Sequence, residues 1–266
     1  MNLPIRFALS LFVSFPALGQ ERIEFPALDA SMNVSGELFL PQGASGKVPA
    51  MVVVHGTGGV DDRTRFFAKE LPKQGIAAFV VDFKKGVFTS PTDRPRNAAF
   101  RPAAYAALRI LRTRPEIDPA RIGIMGFSLG GHLTLTTSLV ENQTRWIGTE
   151  PGFRVHVAYY PGCRFFIPQL TAASKIEAPL LAFWGTLDSY GDGEYCPKLK
   201  DALASVAKQE LDLVAYENAH HGFDGSYNGS YNDPAAINGR GRSTPDPAYA
   251  AKARLHTVDF LKRHLK

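Results

Sequence analysis

Short, almost wholly apolar runs alternate along this chain with longer stretches of helical periodicity. Val34 to Leu40 alternates loosely and stops at Pro41, the pattern of an edge strand closed by the turn at Gly43 to Gly46. Ala50-Met51-Val52-Val53-Val54 is continuous and rich in valine, as expected of a central strand covered on both faces. Ile76 to Phe83, Ile122 to Phe127, Val155 to Tyr160, Leu180 to Trp184 and Leu211 to Tyr216 are further apolar runs of strand length. Between them, helices are predicted over Arg63 to Gln74, with Asp61 or Asp62 as cap and Gly75 as stop, and over Asn97 to Arg112, Leu129 to Val140 and Pro197 to Lys208. Tyr249 to Leu265 closes the series, with an apolar face at Ala250, Ala253, Val258, Phe260 and Leu261. Ile117 to Arg121 reads as a turn, and Lys84 to Arg96 and Gly225 to Pro245 as polar loops.

Strands that alternate with helices imply βαβ units, and hence a mostly parallel central sheet flanked by helices on both faces. Binding sites in such sheets lie beyond the C-terminal ends of the strands. The loops after Val54, Phe127, Trp184 and Tyr216 are therefore where chemistry is expected.

Composition narrows the partners. The 266 residues carry a net charge of +5, yet no run of Lys or Arg is dense enough for a nucleic-acid surface. Near the N-terminus, Arg6 precedes the apolar stretch Phe7 to Phe15, and Ala17-Leu18-Gly19 offers small residues where a signal peptidase cuts. The apolar stretch is too short for a permanent bilayer span. The expectation is a signal peptide over 1–19, a single domain over 20–266, and a periplasmic or secreted protein without stable membrane insertion. The two cysteines, Cys163 and Cys196, can form a disulfide in such a compartment or remain buried free thiols. Neither has a second cysteine or histidine at metal-site spacing, so no metal is expected.

The candidate chemistry starts at Gly126-Phe127-Ser128-Leu129-Gly130. A strand leading into Gly-x-Ser-x-Gly and then a helix presents the serine hydroxyl at the apex of a tight turn. Acyl transfer also requires a base, an acid that orients it, and donors for the oxyanion. Of seven histidines, His256 and His264 fit a solvated helix face, and His156 lies inside an apolar strand. His132 lies in the helix after the serine, and His55 braces the loop it opens. That leaves His220 or His221, just after the last clear strand. Asp188 follows the strand ending at Trp184, with Asp192 and Glu194 as rivals in the same loop. The Leu129 N–H stands at a helix start, where free donors and the dipole favour an anion. A second donor is expected from Thr57 or Gly58 in the Gly-rich loop His55-Gly56-Thr57-Gly58-Gly59.

Taken jointly, these segments resemble the dienelactone hydrolase family of the α/β-hydrolase superfamily, over about Val34 to Leu265. The resemblance also rests on Tyr159-Tyr160-Pro161-Gly162-Cys163, Trp184-Gly185-Thr186-Leu187-Asp188 and Tyr216-Glu217-Asn218-Ala219-His220-His221-Gly222-Phe223. It places the catalytic histidine on His221 and the acid on Asp188. The founding members use a cysteine nucleophile where this chain has Ser128, and serine-bearing relatives resemble general carboxylesterases. What this implies is a Ser128–His221–Asp188 hydrolase of small-molecule esters, with Leu129 and Thr57 at the oxyanion and no organic cofactor. The alternatives are an oligopeptidase-like amide hydrolase and a non-catalytic binding protein on the same fold. The pocket walls are expected from Lys84 to Arg96, Cys163 to Gln169 and Gly225 to Pro245; Arg94, Arg96 and Arg164 read first as solvated surface arginines, with recognition of an anionic substrate as the alternative.

Overall fold

The computed structural model describes residues 21–83, 100–204 and 206–265. The expected signal segment and the Lys84 to Arg96 loop, with Arg94 and Arg96, lie outside them. An eight-stranded sheet runs in the order β1-β2-β4-β3-β5-β6-β7-β8. Its strands are β1 (Glu21–Pro26), β2 (Asn33–Phe39), β3 (Val48–Val54), β4 (Ala77–Asp82), β5 (Ile117–Phe127), β6 (His156–Tyr159), β7 (Leu180–Gly185) and β8 (Leu211–Tyr216). β1 and β2 are antiparallel additions at one edge, and the other six strands are mutually parallel.

The central strands alternate their side chains between two cores, as the pleat requires. Val52, Val54 and Ile124 join one core with α2 (Arg101–Thr113), whereas Met51, Val53, Met125 and Phe127 join the other. That second core is covered by α1 (Asp62–Lys73) and α7 (Pro247–Leu265). Strands buried on both faces leave no polar face, which is why their sequences are continuous apolar runs. A third core joins Leu180, Ala182 and Trp184 of β7 to two further helices, α5 (Cys163–Phe166) and α6 (Asp192–Ala204), and to Leu135.

β4 and β5 lie on opposite sides of β3. The chain therefore reverses its winding direction there, and the C-terminal ends of β3 and β5 border the crevice where such sheets bind ligands. Asp61 caps α1 by accepting from the backbone of Arg63 and Thr64, while Thr64 returns a hydrogen bond to Asp61; such a cap contributes about 1 kcal/mol.

Several elements differ from the pattern-based expectation. β1 is added, and Gly225 to Pro245 contains an antiparallel hairpin, β9 (Gly229–Asn232) with β10 (Arg240–Ser243). Ile117 to Arg121 belongs to β5 rather than to a turn. The helix after Ser128 breaks into α3 (Leu129–Thr137) and α4 (Val140–Ile147), with Leu139 extended between them. The hydroxyls of Thr136, Thr137 and Ser138 hydrogen-bond back to carbonyls one turn earlier, the competition that ends helices at Ser and Thr. α6 begins five residues before Pro197, with Asp192 and Glu194 in its first turn, where acidic groups suit the dipole. No helix among the described residues is long and apolar enough to cross a membrane.

Candidate active site

Ser128 ends β5 and precedes α3 with φ 54 and ψ −113, a conformation that a residue with a side chain adopts only when its surroundings hold it. Its N–H donates to Tyr159 O at 3.0 Å, and its carbonyl accepts from His132 N–H at 2.8 Å. The flanking glycines are required by close approach. A Cβ on Gly126 would lie 2.3 Å from Gly130 O, and one on Gly130 would lie 2.6 Å from Val54 O. The turn that strains Ser128 thus packs backbone against backbone, and the hydroxyl is left facing the crevice.

His221, from the loop after β8, reaches Ser128 Oγ with Nε2 at 2.8 Å. Its Nδ1 lies 2.7 Å from Asp188 Oδ2, and both residues are buried. An imidazole with its proton on Nδ1 donates to Asp188 and accepts from the serine hydroxyl. The other oxygen of Asp188 accepts the Tyr190 N–H at 2.7 Å, which fixes the carboxylate plane. His220 points elsewhere, with Nδ1 3.1 Å from Leu187 O. Glu194 faces outward to Lys198 at 2.7 Å, and Asp192 turns towards the start of α5. Of the five candidates for base and acid, His220, His221, Asp188, Asp192 and Glu194, only His221 and Asp188 are hydrogen-bonded in line with Ser128.

Leu129 is the first residue of α3, so its N–H has no intrahelical acceptor. Thr57 and Gly58 occupy the exposed turn after β3, which is closed by Gly59 N–H donating to Gly56 O at 3.1 Å. A Cβ on Gly56 would come within 3.4 Å of Ser128 Cβ, so this loop lies against the serine. His55 braces it: Nδ1 is 2.6 Å from Gly56 O, and Nε2 accepts from Phe83 N–H at 3.0 Å.

The other histidines fall elsewhere. His132 and His156 are buried, and burial lowers their pKa to about 4 and about 3, so both are neutral. His256 and His264 were expected on a solvated face. Both are partly exposed there and pair with acidic residues of the β8 region, Asp212 at 2.5 Å and Glu210 at 3.1 Å, because α7 packs along that edge. Cys163 and Cys196 are joined as a disulfide. Arg164 is committed, with its guanidinium over the Phe165 ring and a hydrogen bond to Ala235 O at 2.7 Å.

The Dienelactone hydrolase family model matches residues 34–264. The chain belongs to that family. A carboxymethylenebutenolidase of Rhodococcus opacus is 30% identical over 155 residues, a match covering 56% of this chain and 52% of that one. A putative carboxymethylenebutenolidase of Methylorubrum extorquens is 23% identical over 245 residues, covering 80% of each. Among solved structures, a dienelactone hydrolase-like promiscuous phosphotriesterase from metagenomic libraries superposes with a TM-score of 0.67 at 20% identity, covering 93% of this chain and 99% of that one. The apo form of Thermogutta terrifontis esterase 2 gives 0.65 at 18% identity, covering 93% and 96%. These likenesses at low identity establish the α/β-hydrolase fold with its mostly parallel sheet.

Sequence reasoning missed part of this dienelactone hydrolase-family site. The rings of Tyr160 and Tyr190 lie 4.7 and 4.5 Å from that of His221, packing the imidazole from two directions. Tyr160 donates its hydroxyl to Asp224 Oδ1 at 2.6 Å and accepts from Arg63 Nη1 at 3.0 Å. Arg63 is also paired with its helix cap, Asp61. Tyr160 belongs to the quoted Tyr159-Tyr160-Pro161 segment, but nothing in the sequence ties Arg63 or Tyr190 to a histidine.

Proposed function

We propose that this chain is an exported serine hydrolase that cleaves carboxylic esters through an acyl-enzyme. The observation that carries the reading is the hydrogen-bonded chain from Asp188 through His221 to Ser128. As Ser128 Oγ attacks the ester carbonyl, its proton passes to His221 Nε2, and Asp188 stabilises the imidazolium. The carbonyl electron pair moves onto oxygen, where Leu129 N–H and Thr57 N–H receive it; losing one such donor typically costs about 3 kcal/mol. Collapse of the tetrahedral intermediate expels the alcohol, protonated by His221. Water, deprotonated by the same nitrogen, then attacks the acyl-enzyme and releases the acid, and the proton returns to Ser128.

Esterase and carboxymethylenebutenolidase relatives support the ester class. The Cys163–Cys196 disulfide supports export, since such bonds persist in oxidising compartments. Fluorophosphonate labelling followed by peptide mass spectrometry is the test. The label is expected on Ser128, and Ser128→Ala should lose both label and p-nitrophenyl acetate turnover. Full turnover in Ser128→Ala overturns the mechanism. Export is checked by the N-terminal sequence of the mature protein, expected to start at Gln20.

A further inference from the structure

Asp192 is fully buried, 0% exposed, and no step of acyl transfer uses it. Its Oδ2 accepts the Gly162 N–H at 3.0 Å, and its Oδ1 accepts the Cys163 N–H at 2.7 Å. A carboxylate in a dry site is costly unless its oxygens are paired, and here both are. Those two N–H groups stand at the start of α5, two and three residues after Tyr160. One turn along α6 from Asp192, Cys196 is bonded to Cys163. The first turns of α5 and α6 are therefore joined twice, once covalently and once through the carboxylate. The two sulfurs and the carboxylate lie within 4.8 Å of one another, but the disulfide uses both thiols, which leaves a clamp rather than a metal site.

Both ends of this clamp carry the residues that hold His221. On the α6 side, Gly191 N–H donates to Asp188 O at 3.1 Å, and Tyr190 lies between them in sequence with its ring on the imidazole. A Cβ on Gly193 would lie 2.1 Å from Thr186 O, so the start of α6 presses directly on the acid loop. On the α5 side stands Tyr160, with its ring on the imidazole.

We propose that Asp192 is a positioning residue for acyl transfer: by tying the start of α5 to the acid loop, it sets the imidazole of His221 between Tyr160 and Tyr190 and in line with Asp188. This rests on the triad reading. Burial, and then the nearby Asp188 charge, push the Asp192 carboxyl up to about 7, against the N–H groups of Gly162 and Cys163 and the charge of His221. The groups facing it are Asp188 from the β7–α6 loop, His221 from the loop after β8, and those two N–H groups from α5. On α6 itself, Glu194 is exposed and pairs with Lys198. A proton on Asp192 weakens the clamp, so full activity requires the Asp192 carboxylate in addition to the unprotonated imidazole that any such base must offer.

The experiment is the pH dependence of kcat and KM for p-nitrophenyl acetate in wild type, Asp192→Asn, Asp192→Glu and Ser128→Ala. Asparagine offers one acceptor where the carboxylate offers two and turns an amide donor against a backbone N–H. Asp192→Asn is expected to lower kcat roughly tenfold and leave KM within about twofold, the signature of a displaced catalytic group rather than lost substrate binding. The acid limb of its kcat profile should drop from the steeper wild-type slope to that of a single ionisation, which a purely structural role would not produce. If Asp192→Asn does not fold, Asp192→Glu provides the same test: the charge and the steep limb remain, while kcat falls because the carboxylate is displaced by a methylene. Wild-type kcat in whichever variant folds, or an unchanged slope in Asp192→Asn, with Ser128→Ala inactive, overturns the role of Asp192 alone. Activity in Ser128→Ala overturns the triad reading beneath it.

Discussion

Breaking the Cys163–Cys196 crosslink should lower the stability of the fold by about 4 kcal/mol. The two cysteines are separated by 33 residues. The chain-entropy relation for a loop of that length gives about 12 cal/mol/K released to the unfolded chain, hence about 4 kcal/mol at 25 °C. Both sulfurs belong to buried residues packed with Phe166, Leu199 and Trp184, so a reductant acts chiefly on the unfolded chain. Urea unfolding at equilibrium, with and without dithiothreitol, therefore measures the crosslink without any mutation. With an m value of about 2.5 kcal/mol/M for a domain of this size, the midpoint should fall by about 1.5 M in the reduced sample. Thiol titration of the unfolded protein should find no free thiol without reductant and both cysteines free with it, matching the absence of free cysteines in the folded chain. A midpoint that moves by less than about 0.3 M while both thiols titrate would refute the loop-entropy account. The folded reduced protein still holds Asp192 against Cys163 N–H, so its catalytic loss should be smaller than that of Asp192→Asn.

The remaining predictions concern close packing and buried charge. Gly130→Ala places a Cβ 2.6 Å from Val54 O and 2.7 Å from His55 O, both backbone atoms, and should cost about 3 kcal/mol with loss of activity; thermal denaturation and p-nitrophenyl acetate turnover measure both. His156 is buried with its pKa lowered from 6.5 to about 3, so below pH 6.5 the unfolded chain binds a proton that the folded chain refuses. Stability contributed by neutral His156 is therefore complete above pH 6.5 and is lost as the pH falls towards 3. Between pH 7 and 4.5 the loss should be about 2.5 kcal/mol, and His156→Phe should show a correspondingly flatter fall of the urea midpoint over that range.

How much of this was legible in the sequence depends on how local each determinant is. β3 and the Ile122 to Phe127 half of β5 were readable because strands buried on both faces must be apolar there, whereas the polar, partly exposed start of β5 read as a turn; α1 was readable because Asp61 and Gly75 mark its ends. β1 was not, because only Phe25 of its six residues is buried and its Glu and Arg side chains face solvent, so no apolar run marks it. The β9–β10 hairpin shows the same effect: Gly229, Ser230, Tyr231 and Asn232 pair with Arg240 to Ser243 through backbone groups that every residue possesses. The break between α3 and α4 arises from hydroxyls bonding to their own helix, which the apolar periodicity of that segment hides.

The site divides along the same line. Ser128 was readable because the strained turn demands Gly126 and Gly130 in immediate sequence, and a local requirement leaves a local mark. Asp188 and Asp192 are four residues apart in one acidic stretch of sequence, Asp188 in the loop after β7 and Asp192 at the start of α6, with nothing local to rank them. What separates them is the partner each meets after folding: Asp188 faces an imidazole from the loop after β8, and Asp192 faces two N–H groups at the start of α5. His220 and His221 are separated in the same way, one directed at a carbonyl and the other at Ser128. The residues that steady the histidine, Tyr160, Tyr190 and Asp192, come from two different crossings of the sheet. A sequence records each only as a tyrosine or an aspartate; the requirement that assigns them a role exists only once β6, β7 and β8 lie side by side.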